Sequence, residues 1–194
     1  MQLIFATNNP NKVKEIKKIL PQNIDVKSLR EAGIEIEIPE PHDSLKENAS
    51  EKSRTIFNLT QQNCFSEDTG LIVDALKGAP GVKSARYAGE PANDENNIDK
   101  LLQNLSGEEN RSARFKTIIS LIWEEKEYWF EGVCEGRIIE KRIGDSGFGY
   151  DPVFIPEGSI KTFAQMDTEE KNLFSHRKKA MAKLLAFMEK ITKE

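Results

Sequence analysis

The sequence predicts an α/β fold, and three observations support that class. Its 194 residues match one domain of ordinary size, long enough to bury a sizeable core. Short apolar runs typical of strands alternate along the chain with segments in which apolar residues recur at helical spacing. No internal repeat, low-complexity segment or linker interrupts this alternation. We therefore expect residues 1–194 to form a single α/β domain with a hairpin-rich middle.

The N-terminal segment predicts a strand followed by a helix. Residues 2–6 are a short apolar run, which indicates a buried strand. Asn9 is a favourable N-cap, and Pro10 suits the first position of a helix. Pro21 ends this helix. The chain thus opens with the first part of a βα unit.

A second strand and a second helix are predicted next. Ile34, Ile36 and Ile38 alternate with glutamates, as in a half-exposed strand. A loop with two prolines follows this strand. Ser44 and Glu47 then form a capping box, which indicates the start of the second helix.

The rest of the chain predicts further strands, loops and helices. Strands are assigned to short apolar or alternating runs, and loops to segments rich in glycine. The predicted strands cover residues 64–68, 71–75, 114–123, 128–134 and 153–155, with a continuation of the sheet over 136–143. The predicted loops cover 77–93 and 144–152. Helices are indicated by an apolar stripe over 98–105 and by a capping box of Asp167 and Glu170 ahead of a long last helix.

The composition excludes several classes of protein. The chain is 38% hydrophobic and 31% charged, which is typical of a globular protein. No apolar run approaches the ~18 residues that cross a bilayer, and the first residues lack the pattern of a signal peptide. We therefore expect a cytoplasmic protein that does not contact membranes. A net charge of −4 and the lack of a basic stripe argue against nucleic-acid binding.

The composition also limits the kind of metal site. Two cysteines are too few for a disulfide or zinc framework, and two histidines argue against a histidine-rich centre. A divalent ion, if used, would be a hard one held by oxygen atoms.

The loop after the first predicted strand has the features of a phosphate-binding site. A helix N-terminus presents backbone N–H groups and the positive end of the helix dipole. Thr7, Asn8 and Asn9 add polar side chains, and Lys12 adds a positive charge. The glycine spacing of a P-loop is absent. On this loop alone, a well-capped helix with a surface lysine is the alternative interpretation.

Two charged residues near the second helix have both functional and structural interpretations. Lys52 shares a helix face with Leu45, Ala49 and Ile56, so its ammonium group either reaches past the apolar face to solvent or lines a cleft. Glu40 lies between two prolines, where its carboxylate either faces inward or is solvated surface.

An acidic pair, Glu67 and Asp68, lies between two apolar segments. Neighbours on an extended chain point to opposite faces, so only one of the two should enter a given pocket. A carboxylate there can bind Mg²⁺ or accept a proton from water. The alternative is a tight turn with the acidic side chains outside.

The C-terminal third contains candidate base-binding residues. Glycines on both sides of Phe148 leave its ring accessible for stacking on a base, with acceptors from Asp151 beside it, although a turn with a buried Phe148 is the alternative. His176 and Arg177 begin a helix, where positive charge opposes the helix dipole. Such a local conflict indicates a functional role, and Arg177 has the donors to bind a carbonyl or phosphate group.

Six motifs in one order make the chain recognisable. They are Thr7-Asn8-Asn9 with Lys12, Glu47-Asn48-Ala49 with Lys52, Ser66-Glu67-Asp68-Thr69-Gly70-Leu71, Gly78-Ala79-Pro80-Gly81 with Ser84-Ala85-Arg86-Tyr87, Phe148-Gly149-Tyr150-Asp151-Pro152 and Ser175-His176-Arg177. Together they closely resemble the inosine triphosphate pyrophosphatase family from residue 3 to about residue 188. Two departures are Asn8, where the family commonly has glycine, and Glu67, where it usually has aspartate.

The resemblance implies a fold, an activity and partners. The fold is an elongated mixed β-sheet flanked by helices, in two lobes with an active-site cleft between them. The activity is hydrolysis of non-standard purine nucleoside triphosphates (ITP, dITP and XTP) to the monophosphate and pyrophosphate with Mg²⁺, which removes them from the nucleotide pool. The resemblance also implies a homodimer.

The resemblance further assigns the site residues by matched position. It implies Asp68 as general base and metal ligand, with Glu40 as the other carboxylate at the metal, and Thr69 as a substrate contact. The residues implied at the triphosphate are Thr7, Asn8, Asn9, Pro10, Asn11, Lys12, Lys52 and Lys171. The residues implied at the base are Phe148, Gly149, Tyr150, Asp151, His176 and Arg177. Arg177 would donate to the 6-carbonyl of hypoxanthine or xanthine, which adenine lacks.

Two other functions remain as alternatives. A Maf-like nucleotide pyrophosphatase would act on other nucleotides, and the motifs around Phe148 and Arg177 argue against it. A non-catalytic nucleotide-binding or regulatory protein is a different class, and the candidate carboxylates and lysines argue against it.

Overall fold

A computed structural model describes residues 2–191 and confirms an α/β fold built on a mixed sheet with flanking helices. The strands within these residues are β1 (Gln2–Phe5), β2 (Asp25–Ser28), β3 (Cys64–Val73), β4 (Pro80–Gly81), β5 (Ser112–Trp123), β6 (Lys126–Ile138) and β7 (Phe154–Pro156). The α-helices within them are α1 (Pro10–Ile19), α2 (Leu45–Thr60), α3 (Asp94–Asn104), α4 (Thr168–Phe174) and α5 (His176–Ile191). Among the described residues, no helix is both long and apolar enough to cross a membrane.

The sheet combines parallel and antiparallel pairs. Its strand order is β2-β1-β3-β5-β6-β7, and β4 pairs with β3. Strand β1 is parallel to β2 and β3, with Ile4 opposite Cys64 and Phe5 opposite Phe65. The β3–β4 and β6–β7 pairs are antiparallel.

The described residues fall into two compact units. The first comprises residues 2–68, 117–132 and 177–191, and the second comprises residues 69–116 and 133–176. The boundaries lie inside β3, β5 and β6, so each of these strands contributes residues to both units. That residues 1–194 behave as a single domain stays a prediction.

The core of the first unit explains the continuous apolar run of β1. Leu3 and Phe5 belong to a buried cluster that includes Met181 of α5, whereas Ile4 belongs to a second cluster that includes Ile56 of α2. Because successive side chains of a strand point to opposite faces, a strand covered by helices on both faces needs apolar residues at every position. The strand predicted over residues 2–6 is therefore confirmed as a buried one.

The core of the second unit is rich in aromatic rings. Phe115 contacts Phe154 edge to face, with ring centroids 4.7 Å apart, and Phe163 stacks near it at 6.0 Å. Leu101 of α3 and Leu71 of β3 are completely buried in the same cluster. This core supports the loop that carries the candidate base-binding residues.

The strand predicted around Ile34, Ile36 and Ile38 is wrong. Residues 34–40 have no regular secondary structure, although the isoleucines are partly buried and the intervening glutamates are exposed, as the alternation indicates. The place beside β1 is taken by β2 instead. The isoleucines pack against the core without a neighbouring strand to pair with.

The two strands predicted over residues 64–68 and 71–75 are a single continuous strand, because residues 64–73 form β3, and the alternative of a tight turn at the acidic pair is therefore wrong. Glu67 and Asp68 therefore lie within a strand, where both are buried. The hairpin predicted in the middle is confirmed, with its turn at Glu124 and Glu125, which both have positive φ angles (47° and 65°).

The helix N-caps predicted from the sequence are confirmed. Ser44 accepts from the Glu47 backbone N–H at the start of α2, and Asp167 accepts from the Glu170 N–H at the start of α4. These caps fix where the helices begin, and hence which residues each helix turns toward the core.

Candidate active site

The loop between β1 and α1 is held by its own side chains. Oδ1 of Asn9 accepts from the backbone N–H groups of Asn11 at 2.9 Å and Lys12 at 3.2 Å, which confirms the predicted N-cap. Thr7 Oγ1 accepts from the Asn9 N–H at 3.2 Å, and the Asn8 amide donates to the carbonyl of Ile36 at 2.9 Å. Local hydrogen bonds thus hold the helix start, and phosphate binding by it stays a prediction.

Lys52 is drawn inward by two carboxylates. It lies on the apolar face of α2 and is only 7% exposed. Its Nζ donates to Glu40 Oε1 at 2.6 Å and to Asp68 Oδ1 at 2.9 Å. The structure therefore favours the cleft-lining interpretation of Lys52 over extension into solvent, and it turns Glu40 inward.

The loop that carries Glu40 is held by Asn48, a residue that we did not predict as functional. The buried Asn48 accepts from the His42 N–H and donates to the His42 carbonyl, both at 3.0 Å. Asn48 and Lys52 are one helical turn apart on α2. This i, i+4 spacing of two polar residues on an apolar helix face is the sequence pattern that could have identified Asn48.

Glu67 points to a different set of partners from Asp68, as the alternation of a strand requires. Both Glu67 carboxylate oxygens accept from Arg177 Nε, at 2.8 and 2.9 Å, and Lys12 Nζ lies 3.4 Å from Oε1. Arg177 Nη1 also donates to Glu15. Glu15 is a second residue that the sequence reasoning missed.

These residues form two ion-pair networks in the first unit that are linked electrostatically, because the charge of Lys12 interacts with both Glu67 and Asp68, and we call them together the charge cluster. Its members are Lys12, Glu15, Glu40, Lys52, Glu67, Asp68 and Arg177. The cluster holds four carboxylates and three basic groups, so one negative charge is in excess. Buried charges of this kind must be paired or bind an ion, because isolated charges are costly to bury.

The environment sets the protonation behaviour of the lysines and arginine in the charge cluster. Burial lowers the pKa of Lys12, although Glu67 opposes this. Burial also opposes the charged form of Lys52, but Asp68 and Glu40 outweigh it and raise its pKa. The pKa of Arg177 is raised by Glu67 and Glu15 despite burial. Lys52 and Arg177 are thus firmly cationic, whereas Lys12 depends on its carboxylate neighbour.

The two adjacent carboxylates respond in opposite ways. Burial favours the neutral form of Glu67, but Arg177 and Lys12 outweigh it and lower its pKa to about 2. Burial raises the pKa of Asp68, opposed by Lys52 and Lys12 and reinforced by Glu40. Glu67 is therefore a fixed anion, whereas Asp68 is the stronger base of the pair.

The second unit positions the loop around Phe148. Asp151 is 3% exposed, and its Oδ2 accepts from the Phe148 N–H at 3.1 Å and from Lys171 Nζ at 2.6 Å. Gly147 has a φ of 85°, and a Cβ atom there would lie 2.1 Å from Asp151 Oδ2. Only glycine fits this position, because the backbone is left-handed and the carboxylate occupies the space.

Lys171 lies beside the ring of Phe148. Its Nζ is 5.3 Å from the centroid of Phe148 and 5.3 Å from that of Phe163. We call Phe148, Asp151 and Lys171 the aromatic site. The structure thus brings Lys171 together with residues implied at the base, whereas Lys12 and Lys52 lie in the charge cluster.

Two further contacts anchor the same loop. The Gly149 N–H donates to Asp94 Oδ2 at 2.7 Å, and the Tyr150 hydroxyl donates to the Ser84 carbonyl at 2.8 Å. Burial raises the pKa of the Tyr150 hydroxyl, which keeps it protonated as a donor. Asp94 was not among the predicted site residues, since its contact spans 55 positions.

His176 and Arg177 are neighbours in sequence with different surroundings. The ring of His176, buried in the second unit, stacks on Phe115 with centroids 4.8 Å apart and an interplanar angle of 16°. Arg177 belongs to the first unit, where its contacts are those of the charge cluster. Thr69 is partly buried on β3. The roles of these three residues at a substrate stay predictions.

Glu40 and Asp68 are the carboxylates best suited to a metal ion. Within residues 2–191 there is no group of three or more histidine, cysteine, aspartate or glutamate residues arranged to hold one. Mg²⁺ commonly uses only one or two carboxylates and completes its shell with water and substrate phosphates. Two carboxylates that converge on one ammonium group, in a cluster with excess negative charge, fit that pattern.

Comparisons with known proteins find similarity over almost the whole chain. A model of the Ham1 family matches residues 3–187. A protein of Flavobacterium psychrophilum named dITP/XTP pyrophosphatase is 48% identical over 187 residues, which cover 96% of this chain and 98% of that protein. A Bacillus subtilis protein of the same name is 44% identical, with 97% of each chain covered.

Solved structures agree with the sequence comparisons. The Ham1 protein of Staphylococcus aureus has a TM-score of 0.88 and 37% identity, covering 97% of this chain and 98% of that one. A HAM1 protein from Coxiella burnetii has a TM-score of 0.89 and 34% identity, covering 98% and 99%. The similarity thus extends through both compact units.

Proposed function

Because this chain belongs to the Ham1 family, we propose that it hydrolyses the non-standard purine nucleoside triphosphates ITP, dITP and XTP to the monophosphate and pyrophosphate. This activity would remove such nucleotides from the cellular pool. The observation that carries the proposal is the charge cluster, in which Lys52 lies between the carboxylates of Glu40 and Asp68. The names of the relatives from Flavobacterium psychrophilum and Bacillus subtilis, dITP/XTP pyrophosphatase, support two of these substrates, dITP and XTP.

Cleavage between the α- and β-phosphates needs a water molecule in line with the α-phosphorus and stabilisation of charge on the leaving pyrophosphate. Lys12 and Lys52 supply positive charge for the phosphates. Burial strengthens their electrostatic effect, because water screens it less. Thr7, Asn8, Asn9, Pro10 and Asn11 would contribute polar groups at the start of α1.

Asp68 is proposed as the general base. Its raised pKa makes it a better proton acceptor than an ordinary aspartate, while Lys52 at 2.9 Å holds it in position. Glu67, with its lowered pKa, is a poor acceptor and instead holds Arg177 and Lys12. The different partners thus suit the adjacent carboxylates to different roles.

Mg²⁺ is the proposed metal, and Glu40 and Asp68 would hold it. When bound, it would supply Lewis-acid stabilisation of the phosphate oxygens. Lys52 would then balance the remaining negative charge of the two carboxylates.

Base recognition is proposed for the aromatic site, with Gly149, Tyr150, His176 and Arg177. The ring of Phe148 offers a stacking surface, and Asp151 fixes the backbone beneath it. The contact of Lys171 with Phe148 and Asp151 supports a place beside the base rather than at the triphosphate. A donor to the 6-carbonyl would reject adenine, which presents an amino group there.

The proposal extends to a homodimer, as the family resemblance implies, that acts in the cytoplasm, as the composition predicts. Sedimentation equilibrium on the purified full chain would give twice the mass of the 22.0 kDa protomer. A monomeric mass at micromolar concentration would contradict this part of the proposal.

The activity is tested by measuring pyrophosphate release from ITP, dITP, XTP, ATP and GTP with and without Mg²⁺. We expect release from the first three, a ratio of roughly 10⁴ or more in kcat/KM over ATP, and loss of activity on chelation of the metal. Nucleotide binding without release would indicate a binding protein instead. Release from other nucleotides in preference to ITP would favour a Maf-like activity.

A further inference from the structure

The loop that carries Phe148 is fixed by two carboxylates from different parts of the second unit. The Phe148 N–H donates to Asp151 at 3.1 Å, and the next N–H along the chain, that of Gly149, donates to Asp94 Oδ2 at 2.7 Å. These two amides flank the Cα atom of Phe148. Both carboxylates therefore hold the backbone from which the Phe148 ring projects.

Asp94 is part of a firmly packed helix. It is the first residue of α3, whose Ile98 and Leu101 are completely buried. The buried Asn97 accepts from the Ala88 N–H at 2.7 Å, which ties the helix to the loop before it. A rigid support of this kind is what precise positioning of a neighbouring loop requires.

The helix does not need the Asp94 carboxylate for its own N-cap. The side chain of Asn93 takes that role by accepting from the Asn96 N–H at 2.9 Å. The Asp94 carboxylate instead reaches a residue 55 positions away.

The backbone at Gly149 needs a hydrogen bond from outside the loop to hold its conformation. Its φ is 60° and a Cβ atom there would meet nothing within 4 Å, so local packing does little to fix it. Glycine also has the greatest backbone freedom to lose. The charge of Asp94 also acts on the neighbouring Tyr150. It is one cause, after burial and Tyr87, of the raised pKa of the Tyr150 hydroxyl.

Resting on the proposed function, we propose that Asp94 is a positioning residue for base recognition, which holds the Gly149 amide and thereby sets the orientation of the Phe148 ring. Asp94 acts through the loop and makes no contact with the reacting phosphates. Its loss would weaken binding of the base equally in the ground state and the transition state. KM should therefore rise while kcat is retained.

The test compares three variants of the full-length protein: Asp94→Ala, Asp94→Asn and Glu95→Ala. Asparagine keeps an acceptor oxygen at the same position, so Asp94→Asn should restore the anchor. Glu95→Ala removes the neighbouring first-turn charge of α3 together with its ion pair to Arg142 at 2.9 Å, so it controls for loss of charge and of stability at this end of the helix. Each variant is measured for kcat and KM with ITP, and for hydrogen exchange in a peptide that contains Gly149.

For Asp94→Ala we expect KM to rise roughly tenfold, as loss of a charge-assisted hydrogen bond predicts, with kcat within about twofold of wild type. Exchange of the Gly149 peptide should accelerate in that variant only. Equal KM and exchange in Asp94→Ala and Glu95→Ala would overturn the inference, as would an Asp94→Asn variant no better than Asp94→Ala. Failure of the proposed function is distinguishable, because wild-type protein would then release no pyrophosphate from ITP.

Discussion

The charge cluster of the first unit and the aromatic site of the second unit are organised in different ways. The cluster is held by ion pairs between side chains, such as Lys52 with Asp68 and Arg177 with Glu67. Besides the Lys171–Asp151 ion pair, the aromatic site is held through backbone groups, because carboxylates bind the amides of Phe148 and Gly149. One site therefore depends on the balance of charge and the other on the path of the main chain.

This difference predicts different consequences of substitution. Changes of charge in the cluster should lower the rate of phosphate chemistry or the stability of the fold, because buried charges there balance one another. Changes of backbone freedom in the aromatic site should alter selectivity among bases instead. The predictions below test whether the two sites can be separated in this way.

The largest effect is expected for Asp68→Asn. The amide nearly preserves size and hydrogen bonding but cannot accept the proton of the attacking water, so kcat for ITP should fall roughly 10³-fold. Nucleotide binding, measured by calorimetry, should persist. Asp25→Asn changes an exposed aspartate in the same unit and serves as the control. Near-wild-type turnover in Asp68→Asn would rule out Asp68 as the general base.

Lys52→Met should have the next largest effect, on stability. Removing the ammonium leaves the Glu40 and Asp68 carboxylates close together without their cation, which should cost about 3 kcal/mol of the free energy of unfolding. Denaturant unfolding measures this loss. The double variant Lys52→Met with Asp68→Asn should recover part of it, since one uncompensated charge is gone. If the double variant recovers none of the lost free energy of unfolding, the ion pairs of Lys52 do not determine the stability of this region.

The two sites also differ in how far the sequence predicts them. The N-cap Asn9 and the glycine-flanked Phe148 are visible because they depend on residues close together in the chain. One of the two partners of Arg177 is Glu15, which lies 162 positions away, and no local pattern identifies it. Lys52 stands out on an apolar helix face, but its two carboxylate partners emerge only once α2, β3 and the Glu40 loop are assembled.

The dependence on contacts between distant residues also explains the errors in the predicted strands. The sequence pattern does not predict strand β2, because this strand is four residues long and contains one apolar residue, Val26. The sequence predicts two short strands in place of β3, since two acidic residues followed by Thr69 and Gly70 resemble a break in a strand. Burial of Glu67 against Arg177, a contact across 110 positions, is what allows the strand to continue. Local patterns therefore predict helices and caps better than buried ion pairs.

Gly147→Ala tests the aromatic site through the backbone alone. The new methyl group would overlap Asp151 Oδ2 and the φ of 85° would be strained, at a cost of about 2 kcal/mol. We expect the ratio of kcat/KM for ITP over ATP to fall, with a smaller change in kcat for ITP. Gly107→Ala is the control, because that glycine has a φ of 79° but a methyl group there would meet no atom within 4 Å. An equal fall in the ITP-to-ATP ratio of kcat/KM in both variants would show that backbone strain alone, and not the overlap with Asp151, causes the loss of selectivity.

The smallest predicted effect concerns Cys64, the first residue of β3, which also carries Glu67 and Asp68 of the charge cluster. Burial, together with the charge of Glu127, raises the pKa of its thiol to about 12 from an ordinary value near 9. The folded state therefore keeps its proton longer than the unfolded state, so the thiol contributes its full stabilisation below about pH 9 and loses it as the pH rises toward 12. Between pH 9 and 10 the free energy of unfolding should fall by about 1 kcal/mol more in wild type than in Cys64→Ala. Equal falls in the free energy of unfolding of the two proteins over this pH range would contradict the raised pKa of the Cys64 thiol.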